Sequence, residues 1–430
     1  MYIDIHVILP NQIFDIKYLP KKKYYIIWCH PHYYQSYNYN KKKIILHHAT
    51  MLYYYNYLKK YNYNVSYYEF NEKIKLSDYT IINPLDDIDL PGNPTILETP
   101  SFLLSSKDHI EYNNKSKSYF FYPFFNFLKK KINFLEDIPS KDKENRNPYK
   151  EDIKINKLPK LSNVDLYYID KGKIFVNKYF NNNLGNIDNF IYPITHKTAN
   201  KFLNHFIKNN LKYFGKYQDA IYTNNEFLFH SILSSSINIG LIIPSNIINI
   251  IKKIKNKFHI NNIEAYIRQL GWREYTFYTY KYVDFDKNYF NNNKKLNNSF
   301  YNASTNLLPI DDSIQKAINS GYSHHIVRLM ILGNYMTLYG LKPSEMFKWF
   351  MEVYIDSYLW VMKLNIEMAS FATDGICTRR PYISSSNYIS KMSNYDNENK
   401  WKEKFDNLYY SFIKKNKKKL YKYRYYIKIL

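Results

Sequence analysis

The hydrophobic pattern of this chain changes its period once, and that change limits what the chain can fold into. "YIDIHVILP" (2–10), "YYIIWCH" (24–30) and "NVSYYEF" (64–70) are short apolar runs rich in β-branched and aromatic residues, as buried strands require. Before the third of them, residues 43–61, "KIILHHATMLYYYNYLKKY", place apolar side chains at helical spacing. Strand, helix, strand in this order predicts a parallel, Rossmann-like sheet with crossover connections. After about residue 195 the helical period takes over, across 197–211, 244–257, 260–278, 312–340 and 343–366. Pro343 and Ser344 suit the start of the last of these. The expected order is an α/β part over 1–135, a linker over 136–195 and an all-α part over 196–430. Within the linker, the charged and Pro-punctuated stretch 140–162 is expected to be exposed. No Gly-rich phosphate loop follows any of the strands.

The chain's 430 residues suffice for two cores. Sixty-one basic against 37 acidic residues leave a formal charge of +24, which points to a polyanionic partner. An AT-rich genome would inflate lysine too, and the abundance of Tyr, Asn and Ile beside only 10 Gly fits that bias. Two cysteines, Cys29 and Cys377, make neither a disulfide framework nor a Cys-based metal site, so a reducing compartment is expected. The N-terminus carries Asp4 and no cleavable signal pattern. The most apolar run, 237–251, is cut by Asn and Pro and is too short for a bilayer. The expectation is a soluble intracellular monomer of cytoplasm or nucleus, or of a virion for a viral source, without membrane contact. "IKKNKKKLYKYRYYIKIL" (413–430) holds eight basic residues and no acid. It reads equally well as a solvated tail or as a phosphate-contacting arm with stackable rings.

Three stretches carry candidate chemistry. "EAYIRQLGWREY" (264–275) gathers Arg268, Gln269, Trp272, Arg273 and Glu274, which can clamp a planar anionic ligand or form a buried ion pair with a packing Trp. "HSILSSSINIG" (230–240) offers hydroxyls, an amide and helix-start N–H groups to a diphosphate, or simply caps a helix. "GYSHHIVRLMILGNY" (321–335) reads as a buried helix bearing His324, His325 and Arg328, with His324 and Arg328 on one face. Alone, its histidines read as structural. The loop-like run 371–395 sets Arg379 and Arg380 beside Tyr382. His30, His32, His47 and His48 have no third ligand at helical spacing, so no metal is expected. "LDDIDL" (85–90) reads as a loop.

Taken in order, these segments resemble the photolyase/cryptochrome superfamily, in its prokaryotic photolyase-related branch, which normally carries an iron–sulfur cluster. The resemblance runs through "VILPNQIF" (7–14), "KIILHHATM" (43–51), "FGKYQDAI" (214–221), "LFHSILSSSINIGLIIP" (228–244), "YIRQLGWREY" (266–275), the paired-histidine segment, "WFMEVYIDSYLW" (349–360) and "RPYISSSNYISKMSNY" (380–395). It implies an α/β antenna domain, a linker and a helical FAD-binding domain. It implies blue-light repair of UV-damaged DNA, in which reduced flavin lends an electron to a fused pyrimidine pair flipped from the duplex. His325 is then the acid for (6-4) photoproducts, with His324 in support and Tyr382 near the lesion. FAD would be held by Tyr217, Ser231, Leu233, Ser234, Ser235, Asn238, Arg268, Trp272, Glu274, Arg328, Asn334, Asn365 and Asp374. DNA would meet Arg379, Arg380 and Lys391, and Trp349 and Trp360 would carry electrons inward. The alternatives are a cyclobutane-dimer photolyase and a cryptochrome-type light receptor without repair. The sequence departs from the family where the cluster cysteines belong: Asp396, Asn399 and Glu403 stand there, so no iron–sulfur cluster is expected. Phe350 stands for a common Tyr and Met362 for a common acid. "YNYNKKK" (37–43) lacks the histidine pair of a lumazine-type antenna site.

Overall fold

The computed structural model describes residues 4–21, 23–395 and 400–427. The first third is a five-stranded, fully parallel sheet: β1 (Ile5–Ile8), β2 (Tyr24–Trp28), β3 (Val65–Tyr68), β4 (Asp78–Ile82) and β5 (Asn93–Leu97), in the order β3-β2-β1-β4-β5. The central strands are apolar on both faces, as a covered parallel sheet demands, and Val7, Ile8, Tyr25 and Ile27 are fully buried. The first three strands and helix α1 (Lys41–Lys60) stand where the sequence puts them. β4 and β5 go beyond the sequence reading. β5, at the sheet edge, is largely exposed and includes Pro94, so no apolar run announces it.

The N-terminus of α1 plugs the sheet into the helical part. Asn40 caps the helix by accepting from Lys42 N–H, and its amide donates to the Ile318 carbonyl at 2.7 Å. Lys43, fully buried, donates to the Ser357 carbonyl at 2.5 Å and lies 4.0 Å from the Tyr39 ring centre. Further along, α2 (Phe121–Lys131) and α3 (Asn163–Tyr179) follow, and α3 packs along α1. Asp165, in the capping box that opens α3, also accepts from Ile194 and Thr195 N–H at 3.0 Å each. The stretch 140–162 is exposed at fewer than half of its positions and half-buried at most of the others, and it begins with a docked turn, Asp142–Asn145, whose Asn145 is buried.

The helical part has as its axis α5 (Ile260–Tyr282), preceded by the short α4 (Ser234–Asn238). Two helices of the sequence reading are each broken in two. The stretch 312–340 becomes α6 (Leu308–Ser320), then a turn at Gly321, then a π-helical segment Val327–Gly333 running into α7 (Asn334–Tyr339). Gly321 caps α6 in the left-handed region, φ +70°, where glycine alone is unstrained. The stretch 343–366 becomes α8 (Pro343–Val353) and α9 (Leu359–Ser370), separated by Tyr354–Tyr358. α10 (Ser386–Met392) and α11 (Trp401–Lys415) close the fold. No described helix is long and apolar enough to cross a membrane.

Gly333 ends the π segment where it crosses α9. A methyl there would sit 2.7 Å from Ala369 Cβ and 2.8 Å from the Arg328 carbonyl oxygen, closer than packed atoms come. Gly333→Ala should therefore lose stability by about 1–3 kcal/mol through overpacking, against a helix-propensity gain of about 1 kcal/mol. A lowered midpoint of urea unfolding checks it, and an unchanged or raised midpoint contradicts the tight crossing.

Candidate functional site

Two connected chambers lie between α5, α4, the π segment and α9. The inner one, about 220 Å³, is lined by His230, Ser231, Leu233, Ser234, Asn238, Arg273, His324 and Trp360, among others. The outer one, about 710 Å³, is lined by Asp142, Arg146, Asp219, Arg268, Arg379, Arg380 and Tyr382, among others. Gln269, Trp272, His325, Arg328 and Asn365 border both. A larger cleft of about 860 Å³ lies elsewhere, between 35–38, 285–288 and α8. Two of its lysines are paired, Lys363 with Asp286 at 2.6 Å and Lys348 with Glu352 at 3.9 Å.

A buried polar chain frames the inner chamber. Arg328 Nη2 donates to both Asp356 oxygens at 3.0 and 3.1 Å, its Nε donates to the Ser323 carbonyl at 2.8 Å, and its guanidinium lies 3.9 Å from the Tyr354 ring centre. The Asp356 carbonyl accepts from Asn238 Nδ2 at 3.2 Å, and Asn238 Oδ1 accepts from Arg273 Nε at 3.0 Å. Arg273 Nη1 donates to the Ser101 carbonyl at 2.6 Å, and its guanidinium lies 4.5 and 4.9 Å from the ring centres of Phe102 and Trp360. Burial pulls Arg273 down to about 10, opposed by neighbouring Glu274, so it stays charged at neutral pH. Its Nη2 is buried with no hydrogen-bond partner in the protein. The chamber thus presents a desolvated cation with a free donor, a receptor for an anion.

The histidines divide by depth. The helix that the sequence predicts through both rings starts only at His325, and His324 precedes it. His324 is buried and stacks on His230 with centroids 4.6 Å apart and planes at 16°. Burial drives His324 well below its ordinary value and His230 down to about 3, so both rings are neutral. His230 Nε2 and His324 Nδ1 are without partners. His325 is 36% exposed at the boundary of the chambers, with Nε2 3.5 Å from Asp219 Oδ1. On the outer wall Arg268 lies 3.1 Å from Asp142 and 3.3 Å from Glu264. Burial pushes the Asp142 carboxyl up, but Arg268 and Arg146 pull it below its ordinary value. Arg380 lies between the rings of Tyr382 and Tyr426, 5.9 and 5.6 Å from their centres.

Most of the sequence candidates meet here, and seven, Ser235 among them, line neither chamber. Tyr217 donates to Asp152 at 2.9 Å; Asn334 donates to the Ser384 carbonyl at 3.0 Å; Asp374 accepts from Tyr423 Oη at 2.8 Å. Glu274 accepts from Leu103 and Leu104 N–H, at 2.9 and 3.2 Å, and burial raises it to about 7. Trp349 donates to the Phe300 carbonyl at 2.7 Å, and Lys391 lies exposed on α10. Ser235 is buried beside the inner chamber, its hydroxyl without a partner. The sequence reading did not single out His230, Asp219, Asp356, Tyr426 or the linker's Asp142 and Arg146. For His230 its place at the head of the Ser-rich run was a signal; Asp219 and Asp356 lie in segments of the resemblance and Tyr426 in the basic arm, while Asp142 and Arg146 have no signal beyond the charged linker. Among the described residues no three His, Cys, Asp or Glu side chains gather as a metal site.

No protein-family model matches the chain. A (6-4) photolyase of Agrobacterium fabrum is 34% identical over 302 residues, 65% of this chain and 58% of that protein. Over that stretch the chain is similar in sequence to a photolyase. The matched stretch spans less than two thirds of that photolyase's own length. Two uncharacterized proteins of Acanthamoeba polyphaga mimivirus are 47% identical over 88 residues and 37% identical over 115 residues, with 20% and 25% of this chain and 72% and 87% of theirs covered. The fold resembles the crystal structure of a bacterial class III photolyase from Agrobacterium tumefaciens, with a TM-score of 0.57 and 13% identity over 90% of this chain and 86% of that one. Of the positions that depart from the superfamily pattern, Asp396 and Asn399 lie outside the described residues, and Glu403 is exposed. Phe350 lines the outer chamber, and Met362 is fully buried.

The neutral histidines set an acid limit. His6 and His109 are held at about 4 and His230 at about 3 by burial, so the unfolded chain binds protons first as pH falls below 6.5. Their contribution is complete above 6.5 and is lost toward about 4. Glu226, Glu274 and Glu367, raised by burial to about 7, act in the opposite sense, gaining from about 7 down to 4.5. His47 and His324, both lowered well below their ordinary value by burial, add to the histidine side, so the urea midpoint should fall between pH 6.5 and 4. His230→Gln should make that fall shallower, and an identical slope would contradict its burial as a neutral ring.

Proposed function

We propose that this chain is a light-driven DNA photolyase that uses FAD and acts on (6-4) photoproducts. The shared wall of the two chambers is the observation that carries this reading. An inner receptor and an outer, arginine-lined chamber meet at His325, Gln269, Trp272, Arg328 and Asn365. A cofactor in one and an extruded base pair in the other would touch across that wall. At about 220 Å³ the inner chamber would take only part of FAD, and its unsatisfied atoms suit a polar part of that cofactor. Arg273 Nη2 suits a phosphate or ring oxygen, while Trp360 Nε1 and His324 Nδ1 are buried and unpartnered beside it. Ser231, Ser234 and Asn238 supply further polar groups, on a receptor that needs no lysine. When bound and reduced, FAD supplies the light-excited electron.

The protein's own residues do the rest. Arg146, Arg379 and Arg380 around the outer chamber attract the DNA backbone, in keeping with the charge of +24. Flipping a damaged pair costs only a few kcal/mol, because a fused lesion is already poorly stacked. Tyr382 and Trp272 offer ring surfaces to it. His325 stands at the boundary, where it can hand a proton to the lesion while Asp219 balances the ring's charge. His324 cannot share that task, because it is buried, neutral and stacked on His230. It serves as a wall. Trp360 lines the inner chamber and is the inner terminal for photoreduction; Trp349 reaches it only indirectly, its ring 5.9 Å from Tyr354, which packs on Arg328. An antenna pigment, lumazine or other, is assigned on the same footing to the 860 Å³ cleft, where Tyr37 and Phe347 meet edge to face at 6.3 Å.

Light-dependent repair of oligonucleotides carrying one defined lesion tests the whole reading. Reversal of (6-4) photoproducts supports it. Reversal of cyclobutane dimers alone transfers it to that lesion, and light-dependent flavin reduction without any repair would favour a receptor. His325→Ala should abolish (6-4) repair and leave the flavin absorption band in place, whereas normal repair by the variant removes the acid role. The chain's two cysteines cannot supply four thiolates to a cluster, and both are buried, Cys29 beside Tyr67 and Cys377 pushed up to about 12 by burial. Purified protein should therefore hold no stoichiometric iron by elemental assay; one cluster's worth of iron contradicts this.

A further inference from the structure

At the mouth of the outer chamber the chain builds a row of tyrosines and arginines that the catalytic reading does not use. Arg424 lies 4.6 Å from the Tyr421 ring centre and 4.7 Å from that of Tyr425. The next ring, Tyr426, lines the chamber and packs on Arg380, which in turn faces Tyr382. Tyr421, Tyr425 and Tyr426 are 59%, 83% and 53% exposed. Large rings so exposed gain nothing from the core. The segment is nevertheless held in place. Tyr423 donates to Asp374 at 2.8 Å and meets Phe371 edge to face, Lys422 pairs with Asp374, and Tyr289 donates to the Lys419 carbonyl at 3.0 Å. From Lys414 to Arg424 there are seven basic residues and no acid.

A row of this kind matches one partner chemistry well. Every nucleobase has a π-face, and an anchored ring with a guanidinium behind it is a stacking platform that needs no sequence. Lysines beside it neutralise phosphates. Continuity with the chamber decides where such a strand would run: past Tyr425 and Tyr426 into the space between Arg380 and Tyr382. We propose that residues 414–427 grip the bases left unpaired by the flip, with Tyr425 and Tyr426 as stacking platforms and Arg424 and the lysines on the backbone. This rests on the DNA reading of the outer chamber and extends it to a named surface.

The test is binding in the dark, by fluorescence anisotropy, to an undamaged single-stranded oligonucleotide. Tyr425→Ala with Tyr426→Ala keeps the charge and removes only exposed rings, so folding is not at stake. Stacking worth about 1–3 kcal/mol per base predicts at least about tenfold weaker binding, with the salt slope unchanged. The pair Tyr425→Phe and Tyr426→Phe should bind like the natural chain. Arg424→Ala should lower the slope of log K against log salt by about 0.7. An Ala pair that binds as tightly as the natural chain, or a Phe pair as weak as the Ala pair, overturns the proposal. Flavin content measured on the same samples separates the two readings: protein without flavin counts against the photolyase, while the oligonucleotide comparison stays readable.

Discussion

The buried pair Arg328–Asp356 is the interaction on which the site's architecture depends. Taking both charges out of water costs several kcal/mol per ion, and only good geometry offsets it. Here the offset comes from two hydrogen bonds between the partners, one to the Ser323 carbonyl and a tyrosine face under the guanidinium. The pair fastens the π segment to the Tyr354–Tyr358 turn, two pieces that periodicity alone would merge into long helices. Through the Asp356 carbonyl it reaches Asn238, and through Asn238 it reaches Arg273 and Ser101. Five separate stretches of chain are thereby held around one chamber. The sequence of contacts ends on an unpartnered nitrogen of Arg273. A fold that only needed rigidity would leave no desolvated donor at the end of that line.

The same economy of position separates the adjacent histidines. His324 lies in the turn before the helix and His325 opens it, so their rings point into different surroundings, 6.1 Å apart and at 70°. One ring disappears into a stack with His230 and loses its proton to burial. The other stays at the boundary beside a carboxylate. Two identical side chains thus receive different surroundings, one a buried stack and one a partly exposed place beside Asp219, just after Gly321 ends the preceding helix.

Gly321 shows how much of this was legible. A glycine ahead of the histidines is a helix-stop signal, and the apolar run that follows hid it. The break at Tyr354–Tyr358 carries no such mark: it contains neither glycine nor proline, and only the burial of Asp356 against Arg328 explains it. The first three strands and α1 were readable because apolar period and element coincide. β4 and β5 were not: β4 opens on an exposed Asp78, and β5 is largely exposed and includes Pro94. In the site, the structure places His325, Arg328, Trp272, Asn238 and Tyr382 on the chambers' walls. The resemblance did not foresee that Glu274 turns to the Leu103–Leu104 loop, or that Asn334 and Asp374 are spent on Ser384 and Tyr423. Side chains of the right type and order can still face away by a fraction of a helical turn. His230 and His324 lie 94 positions apart, a pairing that local pattern cannot reach.

The sequence resembles a branch whose members normally carry a four-cysteine cluster, and among the described residues the C-terminal helices are tied by hydrogen bonds and packing. Ser386, at the start of α10, donates its N–H and its hydroxyl to Asp406 of α11 at 2.7 and 2.9 Å. The Met392 carbonyl accepts from Ile221 N–H at 2.9 Å, and Tyr395 donates to Asp312 at 2.6 Å. Phe405, Tyr409 and Phe412 bury the inner face of α11. These ties are weaker individually than metal bonds, about 0.5–1.5 kcal/mol for a neutral hydrogen bond and up to about 3 where a carboxylate accepts. They are also spread over several elements, and each element carries part of the outer chamber: Tyr382 and Arg380 just before α10, Asp219 just before Ile221. A cluster would hold these elements at one point. Distributed polar ties hold them along their length, so the chamber's geometry is set by the same contacts that stabilise the subdomain, and it needs no redox-sensitive joint.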